Sequence, residues 1–511
     1  MLKHCLWVGG LLLSLGELHA QGLGPPPPAT TLPRAQQLPI SGREQTGTVV
    51  PAQTPASSAG SNSVNTLNPS IQIQGAYQGS TPSGEVTTQP LPLTLEDAIQ
   101  RGVRYNLGSI GTGNVARQAR AQRLAAIAQL LPDITGGVRE SVEQIDLAAQ
   151  GLRISIPGFN FPSVIGPFNY FDARANFTES LSLTGLRNWR ASQANAHSAE
   201  LSAKDSRELV ALAVAGSYLQ LLASSARIET ARAQLDTAHV VYQQAVDRNH
   251  SGLNARIDVN RSQVEMQTQQ QRLTTLTNDF EKQKILLARL IGLPLAQIFT
   301  LADAIPYRTI PLPSVDDMIK RATSNRSDVK AAEAQVKSAE LAQKAAVAEY
   351  YPSLNITADY GATGVNPSRD AHGTFSVNGA VVFPIFRSGR IRADIDQAGA
   401  VLAQRKAEYA DSKARAEQDV RMAMLDLTAA SQQVGVADSN RKLAADTLAQ
   451  VRDRFRAGVA DTVELVQAQE SVAVAEQDYI SALYAFNLAQ VSLARAIGQT
   501  EQGITQLLQG K

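Results

Sequence analysis

The chain contains the same unit twice, and this duplication limits its possible folds more than any other feature. Residues 95–134 align with residues 315–354 without a gap, and Pro132 falls on Pro352. Near the end of each unit, Gly252 aligns with Gly458. Two copies of one unit of about 200 residues predict a pseudo-symmetric fold. We expect a first helix-strand-strand-helix repeat over residues 93–306 and a second over 307–511, which includes a short C-terminal tail.

The hydrophobic period changes within each repeat. Residues 94–131 and 315–351 are rich in Ala, have a helical period and end at a proline, which cannot continue a helix. Apolar and polar residues then alternate, as in strands that have two unlike faces. We expect four strands, near residues 134–145, 173–184, 353–360 and 374–385.

Long helices without proline follow the strands. They are expected at residues 186–249, 255–292, 388–456 and 460–498. The last one carries apolar residues at a spacing of seven, namely Leu465, Val472, Tyr479, Phe486 and Leu493, with Ala three residues after each of them. This heptad pattern predicts coiled-coil packing with close helix approach. Helices of this length must pack along one another as an elongated bundle.

The N-terminal part of the chain has two distinct segments. Residues 1–20 combine Lys3, an apolar stretch and a small Ala20, which is the layout of a signal peptide. The mature chain is therefore expected to be exported. Residues 21–92 are rich in Pro, Ser and Gln, a composition that predicts a disordered arm. After the leader there is no run of about 18 consecutive apolar residues, so we expect no membrane-spanning helix.

The strand pattern and the export signal together indicate a membrane barrel. Strands of about ten residues that alternate apolar with polar side chains are typical of outer-membrane barrels. Four strands cannot close, and a sheet with free edges would leave backbone groups unpaired in lipid. Several chains must then contribute to one barrel. The alternative is a soluble four-stranded cap on a coiled-coil stalk.

Composition and motifs argue against nucleic-acid binding, metal binding and catalysis. Lys and Arg number 47 against 46 Asp and Glu, so no basic surface for nucleic acid is expected. The single cysteine is Cys5 and the histidines are scattered, so neither a metal site nor a cofactor is expected. A glycine motif at residues 111–116 lies inside a helical segment rather than after a strand. We therefore expect no enzyme activity.

Four segments carry a resemblance to a known family. They are the opening Leu93–Ala98, the strand exit Phe383–Arg390, the helix end Arg454–Gly458 and the helix start Val463–Gln469. Over about residues 93–498 the chain resembles the TolC-type outer membrane factors. The resemblance implies a mostly α protein with transmembrane β strands. It implies a homotrimer whose strands form one twelve-stranded barrel in outer-membrane lipid and whose helices form a periplasmic tunnel.

The same resemblance implies a function and its partners. The chain would be the passive exit duct of a tripartite efflux pump or a type I secretion system. A periplasmic adaptor and an inner-membrane pump would open the duct, and the pump would determine the cargo. Two alternatives remain: a structural or adhesive coiled-coil protein of the cell envelope without channel activity, and the periplasmic adaptor itself.

The turns between the paired helices supply the candidate functional residues. An apolar residue follows a glycine at Gly252-Leu253 and at Gly458-Val459, so each tip is expected to dock the adaptor; a plain tight turn is the alternative. Asp258 and Glu464 each follow the tip glycine by six residues. Threefold symmetry would make each a ring of carboxylates at the periplasmic gate. Asp461 is a further candidate, and a solvated acidic face is the alternative.

Overall fold

The structure, a computed structural model, describes residues 47–53, 63, 69–149, 151, 162–252, 255–304, 307 and 313–499. The chain divides into two compact units. The strand unit comprises Ala125–Trp189 and Lys344–Ile395, and the helical unit contains the other described residues.

Each repeat contributes four α-helices. They are α1 Leu95–Tyr105, α2 Leu107–Ala128, α3 Leu183–His250 and α4 Arg256–Ile291 in the first repeat, and α5 Val315–Asn325, α6 Ser327–Ala348, α7 Arg390–Arg456 and α8 Thr462–Ala496 in the second. The four long helices predicted from the sequence are confirmed, and their ends differ from the predicted ends by a few residues.

The first helical segment of each repeat is broken, where the sequence predicted one continuous helix. The breaks lie at Asn106 and Arg326, whose backbone ψ angles are 136° and 131°. The Asn106 side chain donates to the carbonyl oxygens of Tyr77 and Leu290 at 2.8 and 3.3 Å. Arg326 binds Asp328 and Asp419. The contacts of Asn106 and the contact of Arg326 with Asp419 reach outside the helical segment that each residue interrupts, so helical periodicity does not encode them.

The described residues form eight strands. They are β1 Gly47–Gln53, β2 Pro69–Gly75, β3 Leu91–Leu93, β4 Asp133–Asp146, β5 Val164–Ser182, β6 Phe299–Leu301, β7 Ser353–Gly364 and β8 His372–Val382. In the strand unit, β4, β5, β7 and β8 form an antiparallel sheet in this order. These are the four strands predicted from the sequence, although β5 begins earlier than expected.

The two faces of this sheet have opposite polarity. On one face the register places Ile134, Phe177, Ala358 and Val377 in one row across the four strands. The neighbouring row on the other face consists of Thr135, Asn176, Asp359 and Ser376. The apolar face is exposed, with Ile134 and Val377 both 69% accessible. Alternation within each strand therefore extends across the whole sheet.

The core of the helical unit forms around the middle of α3. This helix contains an apolar window that is long enough to cross a membrane, and 72% of that window is buried within the protein. Such burial is typical of a core helix. The heptad face of α8 is also buried at Leu465, Phe486 and Leu493. The small Ala482 between them is fully buried, which confirms the predicted close packing.

Part of the predicted disordered arm is ordered. Strands β1 and β2 form an antiparallel hairpin, and β3 pairs in parallel with β6. Val49 and Tyr77 join the main core of the helical unit. A Cβ atom on Gly216 of α3 would lie only 2.4 Å from Cγ1 of Ile71 in β2. The glycine therefore allows the hairpin to pack closely against this helix. The structure differs from the prediction here because a few apolar residues in this polar segment pack against the helices of the helical unit. The predicted signal peptide, residues 1–20, lies outside the described residues.

Candidate functional site

The glycines at the two predicted tips have the same backbone conformation. Gly252, after α3, and Gly458, after α7, both have φ = 73°. This left-handed conformation is unfavourable for residues with a Cβ. A Cβ at either position would have no neighbour within 4 Å. Glycine is therefore needed at both tips for the backbone conformation and not for lack of space.

The turn after α7 ends the helix with a Schellman motif. The Gly458 amide donates to the carbonyl oxygen of Phe455 at 3.2 Å, and the Val459 amide donates to that of Arg454 at 2.9 Å. This pair of bonds satisfies carbonyl groups at the helix end. The Val459 side chain is 69% exposed, so the second tip presents an apolar side chain to solvent. Leu253, its predicted counterpart, lies outside the described residues.

A small hydrophobic cluster stabilises the second tip from beneath. Phe455, which is 5% exposed, packs with Val241 of α3 and Leu465 of α8. The Arg248 guanidinium lies 4.4 Å from the Phe455 ring centroid and donates to the Phe455 carbonyl oxygen at 3.3 Å. The ends of α3 and α7 are thus in contact. The helical spacing of Leu448, Val451 and Phe455 in the sequence is the signal for this buried face of α7.

The three predicted gate carboxylates all have partners in their own chain. Asp461 caps α8 and accepts a hydrogen bond from the Glu464 amide at 2.8 Å. Glu464 Oε1 lies 2.5 Å from Arg454 Nη1. Asp258 Oδ1 lies 3.9 Å from Arg261 Nη1. Glu464 and Asp258 occupy the first turns of α8 and α4, which are equivalent positions in the two repeats.

A group of charges around the buried Arg495 and Arg326 connects the two repeats within the helical unit. On α8, Arg495 pairs with Asp205 and with Glu208, whose Oε2 is 3.1 Å from Nη1. At the break before α6, Arg326 is 2.8 Å from Asp328 and 2.7 Å from Asp419. This network was not predicted from the sequence, because Arg495 and its acidic partners, like Arg326 and Asp419, lie far apart in the chain. Two charges at residues 326 and 328 in an otherwise Ala-rich segment were the available signal.

The network shifts the pKa values of two carboxyl groups in opposite directions. Burial raises the pKa of Asp205 to about 6. Burial alone would also raise the pKa of Asp328, but the hydrogen bond from Arg326 and the charge of Arg495 hold that pKa below its usual value.

Among the described residues, no group of three His, Cys, Asp or Glu side chains is arranged to hold a metal ion.

Comparisons with known proteins cover both repeats. Residues 116–293 and 318–499 match the family described as outer membrane efflux protein. The pyoverdine export outer membrane protein OpmQ of Pseudomonas aeruginosa is 26% identical over 416 residues, which cover 79% of this chain and 85% of OpmQ. The toluene efflux pump outer membrane protein TtgC of Pseudomonas putida is 23% identical over 310 residues, which cover 59% of this chain and 63% of TtgC.

A solved structure extends the likeness to the fold. The outer membrane channel CmeC of Campylobacter jejuni superposes with a TM-score of 0.66 at 16% identity, and the match covers 80% of this chain and 86% of CmeC. At this identity the likeness shows a shared fold.

Proposed function

Because the chain belongs to the outer membrane efflux protein family, as its resemblance to TolC-type factors predicted, we propose that it is the passive exit duct of an envelope export system. The protein is an outer membrane protein, like the relatives that it matches. An inner-membrane pump would supply the energy, and a periplasmic adaptor would connect the pump to this duct. OpmQ and TtgC are named for different cargoes, so we infer that the pump determines what is exported.

The sheet of the strand unit is the observation that carries this proposal. Its edge strands β4 and β8 each have a neighbour on one side only among the described residues. Lipid cannot satisfy the hydrogen-bonding groups of a free edge. Three antiparallel pairings make β4 and β8 run in opposite directions, so β8 of one chain can continue the antiparallel pattern with β4 of the next. We infer that three chains close a twelve-stranded barrel, with the apolar face toward lipid.

Cysteine cross-linking tests the seam between subunits. We would place single cysteines at Ile134, Val138 or Val142 on β4 and combine each with a cysteine at Phe375, Val377 or Val381 on β8, after replacing Cys5. These positions share one sheet face, so a correct register brings two sulfur atoms within disulfide distance. We expect at least one pair to give covalent trimers. The matched control pairs the same β8 cysteines with Thr135→Cys, which lies on the other face. Monodisperse monomers by light scattering would refute the proposal.

We propose that the two tips, Gly252-Leu253 and Gly458-Val459, dock the adaptor. Support comes from the exposed Val459 and from the open space around both glycines. Glutamate at Gly252 and Gly458 should abolish export while the trimer and its membrane insertion persist. Alanine at the same two positions is the matched control, because it imposes the same backbone strain without the bulk and charge. Normal export by the glutamate variant, or equal loss in both variants, would refute docking at the tips.

We propose that Glu464 and Asp258 form rings of carboxylates at the periplasmic gate. Like charges that approach around a threefold axis attract cations to the mouth. Glu464→Gln combined with Asp258→Asn should reduce cation selectivity and remove block by divalent or trivalent cations in single-channel records. Asp461→Asn tests the third candidate by itself. It removes the charge of Asp461 but retains a side chain that can cap a helix. Selectivity and block identical to those of the parent would place the constriction elsewhere.

A further inference from the structure

A cavity of about 410 Å³ lies between α3, α4, α7 and α8 in the helical unit. Its volume is in the range of small-molecule sites. Three carboxylates line it, those of Glu229, Glu265 and Glu476, whereas no Lys, Arg or His of the described residues does. The remaining lining consists of Gln side chains and of Thr, Ala, Leu and Val. The cavity therefore combines a negative charge with partly apolar walls.

Several buried side-chain amide atoms at this cavity have no hydrogen-bond partner among the residues that the structure describes. Gln269 is 7% exposed, and its Nε2 donates to Glu265 Oε1 at 2.8 Å. Its Oε1 has no partner among the described residues. Elsewhere in the cavity wall, Gln234 Nε2 and both side-chain polar atoms of Gln469 also lack partners within the described part of the chain. Buried polar groups are normally hydrogen-bonded, so this concentration of unsatisfied amides around one cavity indicates an occupant that can bond to them.

We propose that the cavity binds a small organic cation with ammonium groups on a short carbon chain. Each ammonium group donates up to three hydrogen bonds and accepts none, so several ammonium groups on one chain suit three carboxylates at separate points of the wall and the free Oε1 of Gln269. The methylene groups would lie against Leu448 and Val472. A bare metal ion fits less well, because no three acidic side chains among the described residues are arranged around one point. Burial raises the pKa of Glu476, and a bound cation would favour its ionised form.

The cavity lies between the helix pairs of the two repeats, so a ligand bound there would contact both pairs. Glu229 and Glu265 belong to the helix pair of the first repeat, whereas Glu476 belongs to that of the second. One cation would therefore attract carboxylates on both helix pairs. Since a ligand that binds the folded arrangement stabilises it by mass action, we expect the cation to hold the two helix pairs together.

Calorimetric titration of the full-length protein with spermidine tests the proposal. We expect one spermidine per chain and at least tenfold weaker binding after Glu265→Gln with Glu476→Gln. The matched control is Glu281→Gln with Glu470→Gln, which removes one exposed carboxylate from each of the same two helices outside the cavity, and this variant should bind like the parent. Gln269→Leu should also weaken binding, since it removes the free Oε1 without changing charge.

Three results would overturn the proposal. One is the absence of spermidine binding to the parent. Another is equal weakening in the cavity and control variants, which would show general attraction to a negative surface. The third is displacement of spermidine by an equal concentration of Mg²⁺, which would show a site for any cation. Light scattering on each variant checks that the assembly of the parent is retained.

Discussion

Replacing Asp205 by Asn should stabilise the helical unit at neutral pH but not at pH 4. Asp205 is bonded to Arg495, yet it lies in a group that also contains Glu208, Asp328 and Asp419. With every group ionised, four carboxylates share two guanidinium groups. Asparagine removes one negative charge, has nearly the same shape and keeps an oxygen that can accept from Arg495.

The sign and the size of this change in stability follow from proton linkage. Burial raises the pKa of Asp205 from 3.8 to about 6, so the folded protein binds this proton more tightly than the unfolded chain does. The resulting stabilisation is complete below pH ~4 and is lost as the pH rises to ~6. A shift of two pKa units corresponds to about 3 kcal/mol. This value is an upper limit because the side chain is 20% exposed and solvent screens part of the charge.

Unfolding in denaturant between pH 4 and 7.5 measures the effect. The Asn variant should match the parent at pH 4 and exceed it by up to about 3 kcal/mol at pH 7. Asp328→Asn is the matched control with the opposite sign, because the ionised form of Asp328 is favoured in the folded state. It should cost about 1–3 kcal/mol at pH 7, a loss that shrinks below pH 4. A stability difference between Asp205→Asn and the parent that does not change with pH would refute the reasoning.

Three further substitutions test the packing, each by denaturant unfolding. Asp461→Ala removes the cap of α8 and should cost about 1 kcal/mol, whereas Asp453→Ala on the exposed end of α7 should cost little. Tyr218→Phe removes a hydroxyl that donates to the Leu93 carbonyl oxygen at 2.8 Å, so it should cost about 1–3 kcal/mol. Ala482→Leu should cost a similar amount, about 1–3 kcal/mol, by overpacking the fully buried heptad face. If none of the three substitutions lowers the free energy of unfolding, the described contacts are contradicted.

Periodic features of the fold were predictable from the sequence. The heptads of α8 and the alternation in β7 and β8 repeat one physical preference many times, so a single chain reveals them. The duplication added support, since each element was seen twice. The breaks at Asn106 and Arg326 were missed because both depend on hydrogen bonds to residues far along the chain, in addition to local ones. The β1–β2 hairpin was missed because its stability depends on a surface formed by α3.

The candidate site was predictable in part for the same reason. Glycine at a helix end is a local signal, and the left-handed turns at Gly252 and Gly458 agree with it. The partners of the predicted acids were not visible locally. Arg454 and Glu464 lie ten residues apart on opposite sides of a turn, and their pairing depends on how the two helices meet. Ion pairs of this kind require the three-dimensional structure.

Conductance measured in a planar lipid bilayer tests the central claim most directly. A duct closed by three chains should insert from detergent and produce uniform current steps, with three chains per conducting unit by light scattering of the same sample. A heat-denatured sample in the same detergent is the control. Folded protein of trimeric mass that never produces current steps would contradict the proposed duct, and would favour a structural coiled-coil protein of the envelope.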